Sequence, residues 1–102
     1  PKASNINRIG TYPALSFSGG GYFYDEVLEY RVWVHPDNGD EVFYHFFGDY
    51  ESALAYSSQT KGAEDPCVLI LQKEYIDEPE EGIFSKVKKE RITERNNPAS
   101  YF

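Results

Sequence analysis

Two histidines, His35 and His45, bracket Asp40 and Glu41, and imidazole beside carboxylate is the pairing from which acid–base centres and zinc sites are built. A zinc site takes three or four protein ligands in fixed geometry, so two histidines offset along one hairpin fall short of a metal centre. His35, just before Pro36, reads as a turn residue, and His45, set among rings, is the weak candidate for a general base. Cys67 follows Pro66 and opens an apolar run. It reads as a small buried hydrophobe, because a nucleophilic thiol needs an accessible, electropositive setting and a base. In SFSGGG, residues 16–21, consecutive backbone amides are able to converge on an anion. That stretch lacks the Gly-Lys-Ser/Thr ending of a phosphate loop, the wider glycine spacing of a dinucleotide fingerprint and a helix to follow it, so a sharp bend is expected. Asp77, Glu78, Glu80 and Glu81 lack the spacing and central glycine of a calcium loop and read as a solvated acidic loop. No metal, cofactor or catalytic set is expected.

The elements that must position these residues are bounded by composition. A chain of 102 residues suits one domain with a single core. The net charge of −7, from 17 acidic against 10 basic residues, disfavours nucleic-acid backbones and anionic lipid. Lys86, Lys88, Lys89 and Arg91 read as solubilising, edge-guarding charges rather than a phosphate grip. No apolar run approaches the roughly 20 residues of a membrane helix. Pro1 to Asn5 are polar with no apolar stretch behind them, so no secretory signal is expected. With Cys67 the only cysteine, no internal disulfide forms, and a reducing, cytoplasmic setting is expected. Nine Tyr, seven Phe and one Trp equal the Ile, Leu and Val residues in number. So many rings are hard to hide in a small core, and part of the set is expected at a surface.

Along the chain, residues 1–12 show no sustained period and predict a mobile arm or loosely attached edge, with a single domain over 13–95 and a tail over 96–102. ALSFS alternates and predicts a short strand. VLEYRVWV, 27–34, alternates throughout and predicts another. Asn38-Gly39 signals a hairpin, with EVFYHFF, 41–47, as the returning strand. Asp49 caps a helix over 50–59, and Gly62 ends it. CVLILQKEY predicts a central strand, IDEPEEG a loop, and IFSKVKKERITE a final strand or two. The order β-β-β-α-β-β predicts an α+β fold of two layers, a mostly antiparallel sheet with one short helix across one face.

If the hairpin turn is the three-residue, bulged type, residues of equal parity share a face. One face is then Leu28, Tyr30, Val32, Val34, Val42, Tyr44 and Phe46, a core face. The other carries Glu29, Arg31, Trp33, His35, Glu41, Phe43, His45 and Phe47, rings mixed with charges, as at an interface or ligand groove. A two-residue turn blends the two sets. The second face is either another packing layer or a binding surface. As a binding surface its residues are Arg31, Trp33, Phe43, His45 and Phe47.

LSFSGGG, YRVWVHP, YESALAYS, GAEDPCVLILQKEYIDEPEEG and VKKERITE, spanning residues 15–94, resemble a family of small bacterial proteins of about this length without an assigned function, some of which carry an acetyltransferase label. The family pattern continues after ITE with a tryptophan, where this chain has Arg95 and then NNPASYF. The resemblance transfers no catalytic residues. Acetyl-coenzyme A enzymes present a Gln/Arg-x-x-Gly-x-Gly/Ala turn at the start of a long helix, and this chain has none. Its one expected helix starts at GDYESA, where Asp49 and Glu51 oppose a pyrophosphate. The leading expectation is a non-enzymatic binding module that self-associates, as a homodimer, or docks a protein partner through its aromatic face. The alternative is a small-molecule or acyl-group enzyme with a pocket near the glycine-rich turn and His45 as base.

Overall fold

A computed structural model describes residues 2–14, 26–73, 75–87 and 90–96, with the backbone alone at 75–78 and 87. The chain builds an α+β fold of strands β1 (Glu26–Val34) and β2 (Phe43–Phe47), helix α1 (Tyr50–Gln59), and strands β3 (Cys67–Gln72), β4 (Tyr75–Glu80), β5 (Ile83–Val87) and β6 (Arg91–Asn96). The strands form two sheets, where one was expected. β2-β1-β3-β6 is a four-stranded antiparallel sheet, and among the described residues β4 and β5 pair with each other alone. The expected ALSFS strand lies outside the described residues.

The acidic stretch expected to be a loop is strand β4. Gly82, at φ +81°, turns the chain so that Glu80 faces Ile83, and the register shifts between Asp77 and Glu80, where Pro79 sits. A bulge is where a strand tolerates a proline without an amide to donate.

Helix α1 spans the residues its spacing predicts. The Asp49 carboxylate accepts from the Ser52 amide at 2.7 Å, satisfying one of the donors a helix start leaves open. Gly62 follows at φ +84°, its carbonyl accepting from the His35 amide at 2.8 Å. A Cβ there would run into the His35 carbonyl oxygen, so only glycine lets the chain turn this close to the end of β1.

The sheet buries apolar residues on both faces. Under α1, Val27, Tyr30, Val32, Val34, Val68 and Ile70 surround Ala53, with Phe47, Tyr50 and Tyr56 at the margin. On the opposite face Tyr12 packs on Leu28 and Leu69, flanked by Leu71 and Ile92. Each such side chain, fully buried, contributes about 1.5–3 kcal/mol. The N-terminal segment read as an arm or loose edge lies along this part of the sheet. Ala3 donates to the Gly48 carbonyl at 2.8 Å and Ser4 to the Val27 carbonyl at 2.9 Å. A bulge between Val27 and Glu29 turns Leu28 away from the helix, toward Leu69.

Candidate functional site

The hairpin pairs Tyr30 with Phe47, Arg31 with Phe46, Val32 with His45, Trp33 with Tyr44 and Val34 with Phe43. Odd residues therefore face even ones, and the division expected for an equal-parity turn is overturned. Residues 35–42 form a longer connection, in which the Asn38 side chain accepts from the Asp40 amide at 3.1 Å and Gly39 adopts φ +83°. The five expected binding residues fall on opposite faces. Phe43, His45 and Phe47 lie on the helix side, and Arg31 and Trp33 on the other. Tyr44 and Phe46, expected in the core with Leu28, share the second face with Arg31, and Val42 is exposed.

On the helix side the rings form a row along β2. His45 lies 4.7 Å from Tyr56 and Phe47 5.4 Å from it, centroid to centroid, while Phe43 meets His45 edge-on at 6.1 Å. Phe43 is 43% exposed and His45 is exposed as well. The row is only half covered by the helix.

On the second face Arg31 is fully buried, so it cannot offer a partner the polar contact expected of it. Its Nε donates to Glu29 Oε2 at 2.6 Å, Nη1 to Glu94 Oε1 at 3.4 Å, and Nη2 to the Pro13 carbonyl at 2.7 Å. Glu29 Oε1 also accepts from the Gly10 amide at 2.9 Å, and Glu94 Oε1 from Trp33 Nε1 at 3.1 Å. The guanidinium lies 4.5 Å over the Tyr44 ring, which packs on Trp33 at 4.8 Å. Two carboxylates and one guanidinium thus tie β1 and β6 to the N-terminal segment. This is a structural knot, because its donors and acceptors are turned toward one another. Sequence reasoning passed over Glu94, which reaches Arg31 through the pairing of Leu69 with Glu94 in β3 and β6; no local signal in ITE marks it.

Cys67 is buried, as its place after Pro66 suggests. Burial pushes its thiol above the usual range, and the Glu94 carboxylate beside it adds to the shift. An unionised, enclosed thiol is a poor nucleophile. His35 pairs with Glu64 at 2.5 Å on the surface, both side chains more than half exposed. Among the described residues no three His, Cys, Asp or Glu side chains converge on a metal position. The SFSGGG turn lies outside the described residues. At the α1 N-terminus the Asp49 carboxylate, held below its usual range by the Ser52 hydrogen bonds, occupies the position a pyrophosphate would need. An open depression of about 560 Å³ beside β3 is lined by Ala63, Glu64, Asp65, Pro66 and Asn96.

The outer strands of the four-stranded sheet differ in kind. β6 carries Arg91, Glu94 and Arg95, of which Glu94 and Arg95 are buried. β2, FYHFF, carries no Asp, Glu, Lys, Arg or Pro, and Phe46 on its second face is 47% exposed. Charges, prolines and bulges are the usual means by which sheet edges resist pairing, and β2 has none of them.

Fold and site together define an α+β antiparallel-sheet protein in which, among the described residues, an aromatic strand without charge or proline forms one side of the sheet and a buried ionic knot lies behind it. No helix among the described residues is long and apolar enough to cross a membrane. The chain matches no family model, no curated protein and no solved structure.

Proposed function

We propose that this protein is a non-enzymatic binding module whose contact element is the β2 edge. An extended segment of another chain aligns along Phe43–Phe47, its backbone pairing with the outward amides and carbonyls of β2 and its side chains meeting rings on both faces. Main-chain pairing supplies affinity in this mode, and alternate side-chain contacts supply selectivity. The observation that carries the reading is that β2, an outer strand of the described four-stranded sheet, has no charged residue or proline and leaves Phe43 and Phe46 each more than two-fifths exposed. Phe43, His45 and Phe47 remain binding residues in this reading. Trp33 contributes by fixing Tyr44 behind the edge.

The test is a panel of short extended peptides, labelled and titrated by fluorescence anisotropy, alongside the solution mass by light scattering over a wide concentration range. The expected result is peptide binding that is lost when alternate peptide amides are N-methylated and weakened by Phe43→Lys, which places a charge on the edge. Alternatively, a dimer that Phe43→Lys dissociates also supports the reading. A protein that stays monomeric and binds no peptide overturns it.

A further inference from the structure

The charges flanking β2 identify the kind of strand it accepts. Asp40 and Glu41 stand before the strand, and Asp49 and Glu51 after it, with an uncharged aromatic centre between. Lys2 lies close enough to act on Asp49, and Lys61 is paired to Asp37 farther along the connection, so among the described residues carboxylates outnumber cations at both ends of the edge.

That pattern argues against a second copy of this chain. A two-fold antiparallel pairing centred on His45 sets Phe43 against Phe47 and Tyr44 against Phe46, favourable ring pairs, but it also sets Glu41 of each copy against Asp49 of the other. Like charges directly opposite destabilise a strand pair, and two chains of net charge −7 repel before they meet.

We propose that the β2 edge takes an extended peptide segment with β-branched or aromatic residues at its centre and Lys or Arg at both ends. From Glu41 to Asp49 is eight residue steps, about 27 Å in extended chain. A segment of that length brings its two basic ends to the two acidic ends of β2 while its centre meets Phe43, Tyr44, His45, Phe46 and Phe47. The inference rests on the edge-strand reading above and adds the chemistry of the partner to it.

The test compares two probe peptides with the same alternating Val-Thr centre, one flanked at each end by two lysines and the other by two glutamates, titrated against the whole protein at low and high salt. The basic-flanked peptide is expected to bind at least about 10-fold tighter at low salt, with the gap narrowing as salt rises. It should slow hydrogen exchange at Phe43–Phe47, and Glu41→Lys combined with Glu51→Lys should reverse the preference. Both of those residues are exposed, so the pair leaves the core intact. Equal affinity for the two peptides overturns the inference and leaves the edge-strand reading standing. So does a homodimer that Phe43→Lys dissociates, which would make a second copy the occupant. No binding by either peptide, with exchange at β2 unchanged, overturns both.

Discussion

Arg31 and Glu29, two positions apart on the same strand, both point to the same face of the sheet and are fully buried there, with Arg31 Nε 2.6 Å from Glu29 Oε2. Neighbours at this spacing normally share a face, but charges at such positions normally share it with water. Here the Tyr12, Leu28 and Leu69 cluster and the N-terminal segment close over them. The pair survives burial because almost every polar atom has a partner on the chain, from the Pro13 carbonyl to the Gly10 amide.

Arg31→Met should leave the Glu29 and Glu94 carboxylates buried without their cation. A loss of about 3–5 kcal/mol is expected, read as a lower urea midpoint in Trp33 fluorescence. Adding Glu29→Gln and Glu94→Gln removes the uncompensated charges while keeping acceptors for Gly10 and Trp33, and should recover much of that loss. An equal loss in the triple variant would show that charge compensation is not what holds the knot.

Gly10 sits at φ +86°, and a Cβ on it would come within 2.7 Å of the Phe46 ring. Gly10→Ala should destabilise by about 1–2 kcal/mol through the left-handed backbone and the contact together. In a Phe46→Ala background the contact part disappears, so the same substitution should do less harm. A double-mutant cycle with no coupling would separate this segment from the β2 strand it lies on.

Asp49 has a folded pKa below its unfolded value because Ser52 donates to its charged form. Its contribution is therefore present above the unfolded pKa, about 3.9, and is lost as pH falls through the lower folded value. Asp49→Ala should lower thermal stability at neutral pH and flatten the acid limb of the stability profile. Asp49→Asn should keep the cap and flatten only the acid limb. A Tm unchanged by the alanine would remove the cap from the account of why α1 begins at Tyr50.

Cys67 shifts the other way, and its thiol is neutral in the fold. An acid with a raised folded pKa binds its proton more tightly when folded. Stability from this group is full below the unfolded pKa, about 8.5, and then falls by up to about 1.4 kcal/mol per pH unit as pH rises toward the folded value. Cys67→Ala should abolish that alkaline slope. At neutral pH a thiol reagent should label the native protein no faster than it unfolds, and fast labelling in native buffer would contradict the burial.

Parts of the fold are legible in the sequence because their signals are local. Asp49, the Ala-Leu-Ala stretch and Gly62 mark the helix within a few residues of one another, and the alternation of VLEYRVWV marks β1. Cys67 as a buried hydrophobe follows from its place at the start of an apolar run. The β4 strand is less legible, since Pro79 and the acidic residues around it suit a loop until the bulge and the Gly82 turn are seen.

What tertiary structure alone decided is which side chains share a face. Register in a hairpin is set by its connection, and a change of one residue exchanges the faces of every residue that follows. The 35–42 connection makes β1 pair odd with even against β2, so Phe43, His45 and Phe47 lie on the helix side and Tyr44 and Phe46 join Arg31 and Trp33. The Leu28 bulge inverted the pattern once more within β1, and Glu94 met Arg31 only because β6 returned to the far side of β3. By itself the sequence determined that the aromatic surplus would exceed what one buried face can use, since that follows from counting rings. Where the surplus went depended on strand pairing between distant segments, which local residue preferences do not specify.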